Sequence, residues 1–492
     1  MTRIVASLVE KDVKGVEEAS RRAYEAGAEI VELRVDMLER AELDTLWQAR
    51  KSIHGPAIAS LRSKAEGGRS RLEGAAREKK LWEILDCGFE YVDFEIDTDR
   101  RILSDVREID WRPVTIASCH FTKSVSRNRI EAKVAEVSTA GDIGKVAMPC
   151  GHAGDALAIA QVGLSLRGPH RRYVLIGMGL QGQLTRTCAD TIGSELVYAC
   201  LPGKAAAPGQ LDIERQRSVL SQGRKLFGLL GHPVSHSVSK PMQEAALRQV
   251  GLRGAYLALD FPPEALDKRA LSLLRTLGFN GLNVTIPHKE WAHEACTKLA
   301  RSADSGAVNT IVFDRTHFVG ENTDVFGFNR LVSGKIRISP STRSLLVGAG
   351  GVSRAVAHVL RSKGAQVTVT DIDMKRARTL ARKFRARTST IGGLWKLRKD
   401  FDLIVNCSPV GMKGVSKESP VKPYMFRPDV VFVDVIFNPP VTEAMRLARR
   451  EGAEAHGGLE MLAQQGAESF RLWTGIRPEI GAMREAAKGA LA

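Results

Sequence analysis

Residues 141–149 read GDIGKVAMP, which places one lysine, Lys145, inside a short apolar run opened by a glycine-containing turn and closed by a proline. A buried ammonium is costly unless it is paired or neutral, so a lysine here calls for a chemical reason. The surroundings of this run decide the fold of the first half. From residue 4 to about 201, strand-like stretches alternate with helix-like ones: IVASLV, EIVELRVD, PAIASLRS, YVDFEID, PVTIASCH, IGKVAMP, RYVLIGMG and ELVYACL. Eight strands alternating with helices predict an α/β fold of the (β/α)8 TIM-barrel type, in which chemistry gathers at the C-terminal ends of the strands.

At 492 residues the chain exceeds what one hydrophobic core organises, and two or three domains are expected. Its seven cysteines (Cys87, Cys119, Cys150, Cys188, Cys200, Cys296 and Cys407) form no CxxC pair, so neither a disulfide framework nor a structural metal is expected. No apolar run is long enough to span a bilayer. The start, MTRIVASLVEKDV, enters strand-like alternation directly, so a cytoplasmic protein without a membrane partner is expected. The formal charge of +16 is spread over helical segments, and the only dense cluster, MKRARTLARKFRAR, reads as a solvated helix face. With no zinc-finger or RNA-binding motif beside it, no nucleic-acid partner is expected. No feature specifies an oligomeric state.

The polar residues expected at the barrel rim are Glu32, Arg34 and Asp36 on the second strand, Arg62 on the third, Glu95 on the fourth, His120 on the fifth and Lys145 on the sixth. Arg186 follows the seventh strand and Gln210 the eighth. Each alone reads as a snorkelling arginine or a hydrogen-bonded core residue. Together at one rim they suit an anionic ketone. A lysine that loses its proton in an apolar strand forms an iminium with a carbonyl, acidifying the neighbouring C–H. His120 is then the base for that hydrogen and the acid for a leaving hydroxyl, with Glu95 orienting the ring. Arginines grip a carboxylate through bidentate contacts.

The stretches VELRVD, SLRSKAEGG, SCHF, GDIGKVAMP, GMGLQGQLTR and APGQ resemble the ordered motifs of type I 3-dehydroquinate dehydratase, over roughly residues 1 to 220. The resemblance implies a Schiff base between Lys145 and the C3 ketone of 3-dehydroquinate. It makes His120 the histidine that drives water loss to 3-dehydroshikimate, and Glu32, Arg34, Arg62, Arg186 and Gln210 substrate contacts. Ala206 stands where the family usually has serine, which predicts a higher Michaelis constant with retained chemistry. GMGLQG at 177–182 satisfies GxGxxG, but no acidic ribose partner follows it, and it is assigned to the barrel rim.

A helical stretch, LDIERQRSVLSQGRK, leads to a new strand at LFGLLGHPVSHSVS, with the boundary near residue 224. Farther on, SLLVGAGGVSRAVAHVL combines a strand, a turn with Gly348, Gly350 and Gly351, and a helix. Asp371 arrives after the next strand, AQVTVT, at dinucleotide-fold spacing. The glycines let the protein backbone approach the pyrophosphate and the helix N-terminus favours its charge. Around them GFNGLNVTIPHKE, SGAVNTIVF and GENTDVFGF are dense in Asn, Thr, Lys and Asp. Turn chemistry accounts for many of these. It does not account for Lys289, which follows an apolar run and has Asp324 available as a charge partner. Such an ammonium passes a proton to or from an alcohol oxygen while hydride moves to or from nicotinamide.

These stretches, with DLIVNCSPVGM, VFVDVIFNP and GGLEMLAQQGAESFRLWTG, resemble shikimate dehydrogenase across nearly all of residues 226 to 475. The resemblance implies Lys289 and Asp324 as the catalytic pair and Ser237, Ser239, Asn283, Thr285, Asn309 and Gln465 as shikimate contacts. It also implies a cofactor site that includes Gly348, Gly350, Gly351, Asp371, Arg376 and Gly411. Departures from the pattern are SVSKPMQE after the second serine, Phe437 where tyrosine is common, and Asp371-Ile372-Asp373 where the family often writes NRT. The family implies NADP. The carboxylate of Asp371 favours NAD, whereas Lys375, Arg376 and Arg354 are cations able to reach a 2′-phosphate.

The two motif sets name consecutive steps, because the product of the first is the substrate of the second. The expected chain is a fused dehydratase and dehydrogenase: a TIM barrel over 1–223, a substrate lobe over 224–325 completed by 457–492, and a Rossmann NAD(P)-binding lobe over 326–456. Two alternatives stay open on the residues, a non-catalytic regulatory metabolite-binding protein and an NAD-linked oxidation of quinate or shikimate.

Overall fold

The computed structural model describes residues 2–110, 112–168, 172–235 and 237–491. The chain divides into two compact units, Met1–Leu226 with Arg253–Gly278, and Phe227–Leu252 with Phe279–Ala492.

In the first unit the eight expected strands form: β1 (Arg3–Leu8), β2 (Ile30–Arg34), β3 (Ala57–Ser60), β4 (Tyr91–Glu95), β5 (Val114–His120), β6 (Ile143–Pro149), β7 (Tyr173–Met178) and β8 (Leu196–Ala199). They form one parallel sheet in the order β7-β6-β5-β4-β3-β2-β1-β8. The seam between β7 and β8 is bridged where Glu195 N donates to Tyr173 O at 2.8 Å and Leu175 N donates to Ser194 Oγ at 3.0 Å.

Strand geometry then dictates where the chemistry goes. Successive residues point to opposite faces, so every second residue of a barrel strand faces inward. One residue from each strand builds the apolar floor: Val5, Ile30, Ile58, Tyr91, Ile116, Ile143, Val174 and Leu196. Two residues farther along each strand the same inward parity gives Ser7, Glu32, Ser60, Asp93, Ser118, Lys145, Ile176 and Tyr198. Another step gives Arg34, Arg62, Glu95 and His120. Apolar residues therefore close the base of the barrel, and polarity rises toward the C-terminal rim. The GMGLQG run lies in this unit, at the end of β7 and the start of helix Gly179–Thr187. Its glycines serve packing, since a Cβ on Gly182 would sit 2.2 Å from the carbonyl carbon of Gly177.

The second unit holds a parallel sheet in which Gln366–Thr370, Arg343–Val347, Leu403–Asn406 and Val431–Asp434 are neighbours in that order. Their alternating Val, Ile, Leu and Phe residues fill apolar cores on both faces of the sheet. A separate antiparallel element pairs Phe279–Val284 with Thr310–Phe313, and the latter with Phe318–Glu321. Helix Thr323–Val332 begins at Asn322, whose side chain caps Asp324 N, and packs against the long helix Gly458–Thr474. Among the described residues no helix is long and apolar enough to cross a membrane.

Candidate active sites

Lys145 is 3% exposed, and its Nζ donates to Asp93 Oδ2 at 2.9 Å. Glu32 Oε1 stands 3.7 Å from the same nitrogen, and the Tyr198 ring centre 4.0 Å from it. This corrects the expectation of a lysine deprotonated by its apolar strand. Burial does press its pKa down, but Asp93, Tyr198 and Glu32 outweigh burial and hold it above the ordinary lysine value. The resting group is an ammonium. Asp93 is held far below the carboxylate range by Arg62 and Lys145, which overcome its burial. Asp93 was missed in the sequence, although it is legible there, standing two residues before Glu95 on the same strand face.

A second correction concerns the partner of His120. Glu95 was expected to orient the ring, but its Oε1 accepts from Ser63 N at 2.8 Å and Arg62 NH1 at 3.1 Å, and its Oε2 lies 3.3 Å from Arg77 NH2. The imidazole Nδ1 instead lies 2.8 Å from Glu66 Oε2, an atom that also accepts from His120 N at 3.1 Å and Arg62 NH1 at 3.0 Å. An oxygen already receiving two N–H donors acts as an acceptor toward Nδ1 as well, so Nδ1 carries the proton and Nε2 is the basic nitrogen. Burial, then Arg62 and Lys145, push His120 well below its ordinary value, which keeps the ring neutral and ready to accept. Glu66 lies in the loop after β3, where strand parity offers no guide. The sequence signal was its place in SLRSKAEGG.

Arg62 also differs from expectation. Its guanidinium is engaged by Glu66, Glu95, Asp93 (3.0 Å) and Ser118 (3.0 Å), and so it organises the acidic cluster. Arg34 forms a two-pronged pair with Asp36 at 2.8 Å on each arm. Gln210 Oε1 accepts from Ala206 N at 2.7 Å and its Nε2 donates to Ser7 Oγ at 3.2 Å. Ser7 donates in turn to Glu32 at 2.7 Å, so Gln210 reaches the lysine through a polar chain. Arg186 stands apart. It is 2% exposed, NH1 donates to Tyr198 O at 2.9 Å, Nε has no partner, and no carboxylate pairs with it among the described residues. Burial lowers its pKa to about 10, still a cation at neutral pH and suited to a ligand carboxylate.

Burial lifts Glu66 to about 8, against the pull of Arg62. Ionisation of Glu66 strengthens His120 as a base, so the barrel reaction is expected to accelerate as pH rises through about 8. Glu66→Gln should remove that limb of the kcat profile and lower kcat on the order of a hundredfold. A Gln variant that keeps the limb would place the titration elsewhere.

In the second unit Lys289 is the first residue of helix Lys289–Ala295, and Asp324 lies in the first turn of Thr323–Val332. Lys289 Nζ donates to Asp324 Oδ2 at 2.5 Å. Around the pair Asn309 Oδ1 accepts from Thr323 N at 2.7 Å, and Asn309 Nδ2 donates to Gln465 Oε1 at 3.4 Å. Asn283 Nδ2 donates to Ser469 Oγ at 3.0 Å and Thr310 Oγ1 at 3.2 Å. Thr310, Thr323 and Ser469 complete this net and were not singled out in the sequence, where isolated hydroxyls carry no spacing signal. Ser237 Oγ accepts from Ser239 N at 3.2 Å, and Thr285 follows strand Phe279–Val284.

The glycine turn adjoins this site. Gly348 has φ +104°, and a Cβ added at Gly351 would lie 3.3 Å from Lys289 Cδ. A dinucleotide fits here: the turn carries no side chain larger than the methyl of Ala349, and helix Gly351–Ser362 begins at it. Asp371 accepts from Ala349 N at 2.7 Å and Asp373 N at 2.8 Å, which fixes its carboxylate beside the turn. Arg376 NH2 comes within 3.8 Å of a Cβ built on Gly350, so it faces the turn, while Ile372 is 91% exposed. Gly411, φ +103°, sits in the loop after Leu403–Asn406 that passes Gly348 at Cys407 and Ser408.

A barrel with a buried lysine, a neutral histidine and a guanidinium without a carboxylate partner among the described residues, joined in one chain to a glycine-turn fold with a Lys–Asp pair, defines a lyase-type barrel coupled to a nicotinamide-dependent oxidoreductase. The family models agree. Residues 4–226 match type I 3-dehydroquinase, 229–311 the shikimate dehydrogenase substrate binding domain, 331–448 shikimate / quinate 5-dehydrogenase, and 458–488 the shikimate 5'-dehydrogenase C-terminal domain. A shikimate dehydrogenase (NADP(+)) of Methanopyrus kandleri is 40% identical over 273 residues, 53% of this chain and 94% of the relative. A chloroplastic bifunctional 3-dehydroquinate dehydratase/shikimate dehydrogenase of Arabidopsis thaliana is 28% identical over 489 residues, 92% of this chain and 79% of the relative. A solved quinate dehydrogenase from Corynebacterium glutamicum in complex with NAD superposes with a TM-score of 0.51 at 32% identity, covering 54% of this chain and 99% of that one. The chain belongs to the shikimate dehydrogenase family, and its first half is a type I 3-dehydroquinase domain.

Proposed function

We propose that the chain converts 3-dehydroquinate to 3-dehydroshikimate in the barrel and reduces 3-dehydroshikimate to shikimate in the second unit. The observation that carries this reading is the pairing, on one barrel rim, of a lysine beside a neutral histidine with a buried guanidinium that has no carboxylate of its own among the described residues. A keto acid satisfies both. Its carboxylate answers Arg186, and its ketone is within the reach of Lys145. Nε2 of His120 then takes the proton next to the iminium carbon and returns it to the departing hydroxyl.

In the second unit bound reduced nicotinamide supplies the hydride. Lys289, held in place by its hydrogen bond to Asp324, donates the proton to the carbonyl oxygen, and Asn283, Asn309 and Gln465 hold the remaining hydroxyls. As for the cofactor, the Asp371 carboxylate is held beside the glycine turn by Ala349 N and Asp373 N, at the end of the strand where a dinucleotide fold meets its ribose. This favours NADH, whose 2′-hydroxyl donates to a carboxylate, over NADPH.

The test adds 3-dehydroquinate to the whole chain with NADH or NADPH and follows loss of the reduced cofactor. Consumption of reduced cofactor, with kcat/KM for NADH about tenfold above that for NADPH, is the expected result. Equal efficiency with both cofactors would remove the assignment of Asp371. No consumption, with 3-dehydroshikimate given directly also untouched, would favour a non-catalytic binding protein.

A further inference from the structure

Tyr198 lies on β8 on the inward parity that also presents Lys145 from β6. It is 3% exposed, its ring centre is 4.0 Å from Lys145 Nζ, and its hydroxyl is fully buried beside that amine with no acceptor for its proton among the described residues. A phenol in an interior normally finds a partner. One beside a reactive amine, turned toward Lys145 and with no acceptor for its own proton, is arranged for a group that arrives later.

We propose that Tyr198 is a further catalytic residue of the barrel, its hydroxyl relaying a proton from Lys145 Nζ to the ketone oxygen while its ring face carries the nitrogen cation. The proposal rests on the reading of the barrel as a lysine–ketone lyase.

The balance of the step explains why a relay is needed. Lys145 rests as an ammonium, and ammonium plus ketone gives protonated iminium plus water. One proton leaves to Nε2 of the neutral His120 to free the nitrogen lone pair, which forms the C–N bond as the carbonyl π pair moves to oxygen. A second N–H proton is then handed across the phenol, which accepts it as it releases its own to that oxygen. The first proton returns, the C–O bond breaks and water departs, leaving one proton on nitrogen and the positive charge unchanged.

The neighbouring groups are poorly suited to this hand-over. Asp93 is held ionised by Arg62 and Lys145, and Glu32 Oε2 already accepts from Ser7. Nε2 of His120 holds the first proton at this stage and cannot take the second. Burial holds the phenol of Tyr198 above its ordinary value despite the pull of Lys145, so it remains an O–H donor throughout. The charge of the iminium lies where the ammonium lay, over the ring, and cation–π attraction supports both states.

The experiment mixes the whole chain with 3-dehydroquinate, quenches with borohydride at successive times and measures the Lys145 adduct by mass. Tyr198→Phe keeps the ring and removes the relay. It should form the adduct on the order of a hundredfold more slowly, with an unchanged thermal midpoint. Adduct formation by the unmodified chain in mixed H2O and D2O should give a curved dependence on deuterium fraction, as expected for more than one proton in flight, and Tyr198→Phe a straight one. A Tyr198→Phe rate within twofold of the unmodified chain, or a straight dependence in the unmodified chain itself, overturns the proposal. Absence of any adduct in the unmodified chain would instead overturn the lysine–ketone reading on which it stands.

Discussion

Lys145→Ala is expected to lower dehydration of 3-dehydroquinate by at least about 10⁴-fold, because the covalent route disappears with its nucleophile. Reduction of 3-dehydroshikimate should continue at its former rate, since Lys289, Asp324 and the glycine turn all lie in the second compact unit. The barrel should also lose stability at this position. Removing the ammonium leaves buried Asp93 with the Ser118 hydroxyl and a single ion-pair partner, Arg62, and breaking a buried pair typically destabilises by about 3–5 kcal/mol. Lys145→Met, which fills the space without the charge, should be similarly inactive and similarly destabilised. Activity measured below the thermal midpoint of each variant separates chemistry from folding. Substantial residual dehydration in folded Lys145→Ala would exclude an obligatory Schiff base.

Lys289→Ala should show the reverse separation. Loss of a positioned proton donor typically lowers kcat by about 10²–10⁴, and here the loss falls on reduction while dehydration proceeds. 3-Dehydroshikimate should therefore accumulate from 3-dehydroquinate even with ample reduced cofactor. Asp324→Asn should act more mildly. It leaves the ammonium in place but removes the carboxylate 2.5 Å away that holds its orientation. Rate loss in kcat with little change in KM is the expected signature, and a rise confined to KM would make Lys289 a binding group only.

The eight barrel strands, the glycine turn and the two lysines, Lys145 and Lys289, were legible because each is a local signal. Lys145 interrupts an apolar alternation, and Gly348, Gly350 and Gly351 separate a strand from a helix within a few residues. Strand parity could have been pushed further: Asp93 shares the inward face of Tyr91 and Glu95, and Tyr198 that of Leu196. Glu66 could not be found that way, because it follows β3 in a loop with no period. Thr310, Thr323 and Ser469 are ordinary hydroxyls until packing joins them.

Sequence by itself determined which side chains face inward along each strand and where the backbone could approach a phosphate, since both depend on the conformation of a few consecutive residues. Tertiary structure alone decided the partners. Lys145 meets Asp93 across 52 positions, His120 meets Glu66 across 54, and Lys289 meets Asp324 across 35. Those distances in space are set by strand stagger and by the path of loops after the strands. The protonation states follow from them, because whether a buried lysine rests charged or neutral depends on the carboxylate that the fold brings within hydrogen-bond reach.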